Sequence, residues 1–202
     1  LSLTLLCAVL VIICNLFIDR PVAAYVFQHR HARLGLLPLR PIFQLMAAPS
    51  LLPLPFSAAV LGAAVWRRLS GGPPLRHAAL YLPVSLATLA ATAAKDELKW
   101  MFGRPWPDSW IRTGVYAFHP FDTGWLYGSF PSGHTAYITA PVVVLWSLVP
   151  RYRPLWGGIL ALVMIGLVGA GYHFVGDVIA GLFTGMAAAA GTLVLLRESG
   201  NA

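Results

Sequence analysis

The stretch FVGDVIAGLFTGMAAAAGTLVLL, residues 174–196, carries a single charge, Asp177. A helix needs about 20 predominantly apolar residues to cross a hydrocarbon core, so this stretch reads as a membrane span that holds one carboxylate. Five further stretches free of Asp, Glu, Lys and Arg repeat the pattern: Leu1 to Ile18, about Pro41 to Trp66, His77 to about Ala94, and the shorter, proline-bounded Thr135 to Val149 and Leu155 to Tyr172. The turn Arg151-Tyr152-Arg153-Pro154 separates the last two. Six spans leave three long connectors, Asp19 to Arg40, Arg67 to Arg76 and Lys95 to His134. The expectation is one all-α integral membrane domain over 1–202, a bundle of six transmembrane helices.

Composition agrees with that reading. Hydrophobic residues make up 58% of the 202 and charged residues 10%, with a mean hydropathy of +0.72, against about 25% charged in soluble domains. Polar surface this scarce cannot cover a soluble core, and the same figures exclude a disordered chain. Cys7 and Cys14 both lie in the first apolar run, which excludes a disulfide-stapled scaffold. Leu1 is not a methionine and the first span begins at once. Residues are therefore expected to have been lost upstream, by processing or by choice of boundary, although a cleaved signal peptide does not account for six spans.

Six spans put both termini on one side, with Arg67, Arg68, Arg76, Arg151, Arg153 and Arg197. The other side carries Arg20, Arg30, Arg33, Arg40, Lys99, Arg104 and Arg112, with Lys95 at the end of the third span. Positive charge alone does not choose between the faces. Setting Lys99 and Arg104 aside as chemistry, and laying the first connector along anionic headgroups, makes the termini cytoplasmic. The net charge of +7 suits anionic membrane lipids, and no nucleic-acid module is recognisable.

Ionisable groups at membrane depth are costly, so function is sought where polar residues gather at span ends. The first cluster runs from Lys95 to Asp108 and includes Lys99, Arg104 and Trp106; by itself it fits snorkelling cations and an interfacial tryptophan belt. In the second, Phe130-Pro131-Ser132-Gly133-His134-Thr135, a serine precedes an apolar helix. That serine reads equally as a plain helix cap and as part of an anion site at the helix start. In the third, His173-Phe174-Val175-Gly176-Asp177, the imidazole and carboxylate share a helix face. Six-span topology brings all three to one membrane face. Cations, helix-start N–H groups, a hydroxyl and two histidines suit phosphoryl transfer, which depends mainly on positioning and charge stabilisation. His173, oriented by Asp177, attacks phosphorus while His134 protonates the departing oxygen. No metal or other cofactor is expected, because no HExxH, paired-cysteine set or carboxylate cluster accompanies the site.

These residues resemble the type 2 phosphatidic acid phosphatase family of membrane lipid phosphatases, which is related to the vanadium haloperoxidases. The family pattern is Lys, six residues, Arg-Pro; then Pro-Ser-Gly-His; then Ser-Arg, five residues, His, three residues, Asp. Here it spans Lys99 to Asp177, with Pro131-Ser132-Gly133-His134 complete and His173 three residues before Asp177-Val178-Ile179-Ala180-Gly181. The resemblance implies a six-helix bundle. It also implies phosphate binding by Lys99, Ser132 and Gly133, a general acid at His134, a phosphohistidine at His173 and an orienting Asp177.

Two departures accompany the matches. Trp106 stands where the family places its first arginine, with Arg104 two residues earlier as a substitute phosphate ligand. Leu167 and Gly166 stand where the family has arginine and serine. Two lost charge-assisted contacts are worth roughly 1.5–3 kcal/mol each, so either Arg104, Arg112 or His119 compensates or the substrate is less charged. The aromatic connector from Trp106 to Phe130 reads as a cover over the site and equally as an interfacial belt. His29 and His31 read as surface residues, and His77 as a helix start.

The expectation is a lipid phosphatase of the bacterial inner membrane with its site on the periplasmic face. Its substrate would be a phosphomonoester or diphosphate of the phosphatidate, phosphatidylglycerophosphate or polyprenyl class. The alternatives are a lipid phosphotransferase that passes a phosphate headgroup to a second lipid or alcohol, and a non-enzymatic lipid-binding protein. Gly157, Ala161 and Gly181 through Gly185 allow close helix packing, within a chain or between chains, and leave the oligomeric state open.

Overall fold

The computed structural model describes residues 2–34, 37–122 and 124–200. Its elements are helical apart from a two-residue antiparallel pairing of Arg33–Leu34 (β1) with Leu37–Pro38 (β2). Leu1, where the first span was expected to start, lies outside the described residues.

The first helix runs well past the expected boundary at Ile18. Helix α1 (Ser2–Ile13) passes through a π-helical turn, Cys14–Ile18, into α2 (Asp19–Gln28). Pro21 has no N–H to give to the preceding turn, and its ring crowds the carbonyl four residues back; a widened turn accommodates both. Asp19 and Arg20 therefore belong to the first span, not to a connector. The second span is broken in the same way. Helix α3 (Leu39–Ala47) and α4 (Pro53–Leu69) are joined by a 3-10 turn, Ala48–Leu51, in a segment that contains Pro49 and Pro53.

Helix α5 (Ala78–Phe102) follows His77, the expected helix start, and runs eight residues beyond the expected end at Ala94. It carries Lys95, Asp96, Glu97 and Lys99 on its last turns and stops at Gly103, where φ is +54°. A Cβ there would also fall on the carbonyl of His119, so glycine meets both the backbone and the space requirement. The connector then forms α6 (Pro107–Thr113) and a short turn, Trp125–Tyr127, before α7 (Gly133–Leu148), α8 (Arg153–Gly169) and α9 (Val175–Gly200).

Among the described residues, five segments are long and apolar enough to cross a membrane: Leu3–Gln28, Leu39–Leu69, Ala78–Phe102, Pro150–Gly169 and Val175–Glu198. Helix α7 is shorter, at 16 residues, and lies at the centre of the bundle against α5, α8 and α9. One side of it packs with Val84, Ala87, Ala91 and Ala189 through Ala136, Ala140 and Val144. The other side packs with Ala47, Val163, Leu167 and Val178 through Ile138 and Val142. The outer helices instead expose leucine, valine and aromatic side chains, among them Leu5, Phe17, Val65 and Trp66, the outward face that hydrocarbon requires.

Small residues set the distance between α9 and α7. A Cβ at Gly181 would fall on the carbonyl of Ser132, and one at Gly185 would lie 2.5 Å from the carbonyl of Ala136. These glycines pack within the chain and hold α9 against the first turn of α7. Overpacking such a contact costs about 1–3 kcal/mol, so Gly181→Ala is expected to lower the unfolding midpoint in detergent. Gly191→Ala, where nothing lies within 4 Å of the added carbon, is expected to leave it unchanged or raised.

Candidate active site

The site forms where the ends of α5 and α8 meet the starts of α7 and α9. Ser132 caps α7: its Oγ accepts hydrogen bonds from Thr135 N at 3.3 Å and Thr135 Oγ1 at 3.0 Å. Its own N–H donates to the carbonyl of Asp177 at 2.9 Å, which ties the start of α7 to the start of α9. The capping reading of this serine thus holds, and the cap places Gly133 and His134 on the first turn of the helix. The His134 and His173 rings meet edge to face, with centroids 6.0 Å apart. His173 is 2% exposed and His134 half-buried.

Asp177 engages more than its histidine. Its Oδ2 accepts from Phe174 N at 3.0 Å, so the third residue of α9 reaches back to the residue before the helix as in a capping box. The same oxygen accepts from Ser129 Oγ at 2.6 Å, and Oδ1 accepts from Arg104 Nη1 at 2.6 Å. His173 Nδ1 lies 3.7 Å from Oδ2, too far for a hydrogen bond, and has no other partner among the described residues. The contact between imidazole and carboxylate is electrostatic. Burial pushes the His173 imidazole below its ordinary value, against the opposing pull of Asp177.

Arg104 occupies a different place from the one expected. Its side chain is fully buried, with Nη2 donating to Asp19 Oδ2 at 2.7 Å, Asn15 Oδ1 at 2.9 Å and the Tyr116 hydroxyl at 2.7 Å. Its carbon Cζ lies 4.3 Å from the Phe174 ring centroid. Burial works against the charge, but the carboxylates of Asp177 and Asp19 outweigh it and hold the guanidinium above its ordinary value. Both terminal nitrogens are committed to carboxylates, so Arg104 is the centre of a buried ion pair. Burial also pushes the Tyr116 phenol up to about 12, which keeps the proton it donates to the carbonyl of Asn15 at 2.8 Å.

Lys99 donates to the carbonyl of Gly128, and its Nζ lies 4.9 Å from the Trp106 ring centroid. The Trp106 ring is also 5.2 Å from that of His173, and its Nε1 donates to the carbonyl of Trp125 at 2.8 Å. Of the other expected substitutes, Arg112 is exposed and pairs with Asp108, and the His119 ring lies tilted against that of Tyr127.

A cavity of about 290 Å³ opens onto His134 and His173, and Trp106, Leu167, Gln44 and Tyr172 line it. Both positions where family arginines were expected therefore present apolar surface to it. Gln44 Nε2 donates to the Tyr172 hydroxyl at 2.9 Å. A larger groove of about 900 Å³ shares Trp106 and Tyr172 with this cavity and is bordered by Arg30, Arg40, Arg112 and Asp108. Among the described residues no group of three His, Cys, Asp or Glu side chains is placed to hold a metal ion.

Sequence reasoning missed Asn15, Asp19 and Ser129, and read Tyr116 only as part of a connector that covers the site or forms an interfacial belt. Asp19 carried a usable signal, since an acidic residue directly after an apolar run is a buried carboxylate if the helix continues.

The chain belongs to the PAP2 superfamily, whose family model matches residues 78–200. Over 90 residues, 44% of the chain, it is 38% identical to the lipid A 1-phosphatases of Rhizobium etli and Rhizobium johnstonii. The matched stretch covers 38% and 36% of those proteins' lengths. The crystal structure of Aquifex aeolicus LpxE has the same fold, with a TM-score of 0.57 and 20% identity over 84% of this chain and 93% of that one.

Breaking a buried ion pair from one side costs about 3–5 kcal/mol because the remaining charge is left alone. Arg104→Met leaves Asp19 and Asp177 without their shared cation and is expected to lower the unfolding midpoint in detergent far more than Arg112→Met, whose parent residue is exposed.

Proposed function

We propose that the chain is a membrane lipid phosphatase that hydrolyses a phosphomonoester or diphosphate on a lipid, as its relatives' names suggest for lipid A. The observation that carries this reading is the pair of imidazoles, one on the first turn of α7 and one in the turn that leads into α9, with ring centroids 6.0 Å apart on one cavity. A phosphoryl group between them touches both. With Nδ1 of His173 turned toward Asp177, Nε2 is the attacking atom. The N–P bond forms as the ester P–O bond breaks, and the leaving oxygen takes the electron pair and a proton from His134. Water then attacks phosphorus, His134 takes its proton, and the N–P electron pair returns to the ring. Lys99 supplies positive charge, and Ser132 with the Gly133 backbone supplies polar contacts at the start of α7. No metal or other cofactor takes part in this scheme.

The finer topology belongs to the same reading. In this reading the central α7 is a sixth span, both termini are cytoplasmic and the site faces the periplasm of a bacterial inner membrane. Substrate enters from the bilayer, and the basic border of the larger groove suits anionic headgroups.

Trp106 and Leu167 favour a second reading, a lipid phosphotransferase. Their apolar surface suits a less charged diester and a lipid or alcohol acceptor in place of water. Labelled headgroup exchange with little free phosphate is its signature.

Purified protein in detergent with EDTA is expected to release phosphate from phosphatidate or a polyprenyl diphosphate, and His173→Ala to release none. No release from any lipid phosphate by the parent overturns the phosphatase reading. The unprotonated imidazole is the attacking form, and burial depresses its proton affinity. Activity should therefore persist as pH falls to the ordinary histidine value of 6.5 and be lost below it, as a pH–rate profile of kcat/KM will register.

A further inference from the structure

Asp19 lies outside residues 78–200, the part of the chain that the family model matches, yet it is fully buried beside the site. The π-helical turn Cys14–Ile18 brings it there. Its Oδ2 accepts from Arg104 at 2.7 Å and its Oδ1 from the backbone N–H of Gly176 at 2.9 Å. Asn15 and Tyr116 occupy further directions around the same guanidinium nitrogen, so the arrangement is fixed from several sides.

The charges give this arrangement a use. Asp177 and Arg104, 2.6 Å apart, form a neutral pair, and a neutral pair offers little to a histidine that becomes cationic. Asp19 brings the triad of Asp19, Arg104 and Asp177 to a net charge of −1. We propose that Asp19 is a positioning residue for the reaction: acting through Arg104, it leaves Asp177 with the net negative charge that stabilises His173 while His173 carries the phosphoryl group. The inference rests on the phosphohistidine reading above. When Nε2 forms its bond to phosphorus and the ester oxygen leaves with its electron pair and the His134 proton, the ring is left as a phosphoimidazolium. When water displaces it, the N–P electron pair returns and the ring is neutral again. The positive charge exists only between these two events, so the triad acts on kcat. On binding it acts the other way, since a net negative charge repels an anionic phosphate.

The charged and titratable groups around His173 come from every side. Asp177 lies on α9, Lys99 on α5 with Lys95 one turn before it, His134 on α7, and Arg104 and Asp19 behind Asp177. Three substitutions in the full chain separate the charge of the triad from its hydrogen bonds. Asp19→Asn makes it neutral, Arg104→Gln makes it −2, and the double variant returns it to −1.

With phosphatidate in detergent micelles, Asp19→Asn is expected to lower kcat about tenfold, the worth of one pK unit of charge stabilisation, without raising KM. The acid limb of the pH–rate profile should move to lower pH in Asp19→Asn, to higher pH in Arg104→Gln, and back toward the parent in the double variant. Unfolding midpoints identify which variants are folded, and any one folded single variant reads the direction of the limb. A limb that stays in place in the folded variants, or an Asp19→Asn loss that appears only in KM, overturns the inference and leaves Asp19 as a structural latch. A parent that releases no phosphate from any lipid phosphate instead overturns the phosphatase reading, and the inference with it.

Discussion

A guanidinium without water around it needs acceptors from the protein, and the two terminal nitrogens of Arg104 draw on four residues from three elements. Asp177 comes from α9, Asp19 and Asn15 from the first helical rod, and Tyr116 from the connector. Arg104 also anchors its own segment, because its carbonyl accepts from Ser129 N at 3.0 Å and Ser129 Oγ in turn donates to Asp177. The start of α7 joins through the hydrogen bond from Ser132 N to the Asp177 carbonyl. Replacing a buried ion network with apolar groups is often neutral for stability. The reason to keep this one is geometric, since it fixes where two helix starts stand relative to one another, and the two histidines sit on those starts.

The sequence made the class of fold legible and left its boundaries uncertain. Hydropathy located the apolar runs because lipid leaves no other place for them, but a run ends on paper at the first charge. Asp19 and Lys95 each ended a run early, because a charge inside a continuing helix and a charge just beyond its end look alike until its partner is known. Asp19 has Arg104 as partner, 85 positions away. The two histidines, the Ser-Gly pair and Asp177 were legible through local spacing. Asn15, Asp19, Tyr116 and Ser129 were not, since they act through long-range contacts with no local signature. The burial of Arg104 between Asp19 and Asp177 was illegible for the same reason.

The departures from the family pattern have packing consequences. Gly166 stands where a serine was expected, and a Cβ there would lie 2.6 Å from Ala47 N and 2.7 Å from the Phe43 carbonyl. Glycine at this position lets α8 lie directly on the backbone of α3, and Leu167 beside it joins the core with Ala47 and Val163. An arginine at 167 would have to leave that core. Trp106 likewise stacks beside both Lys99 and His173, where an arginine would place a second cation next to the lysine. The cavity wall and the α3–α8 contact are built from the same residues, Leu167 and Ala47.

Nine of the 16 residues of α7 are buried, and its contacts are with other helices, whereas α1 and α4 turn much of their surface outward. A bilayer that is too thick or too thin acts first on the helices that touch it, by tilting them at a modest cost per ångström. Helix α7 is shielded from that adjustment, and its first turn is fastened to α9 rather than to lipid. The spacing of the two histidines is thereby set by a backbone hydrogen bond between helix starts, Ser132 N to the Asp177 carbonyl, and not by a contact with lipid.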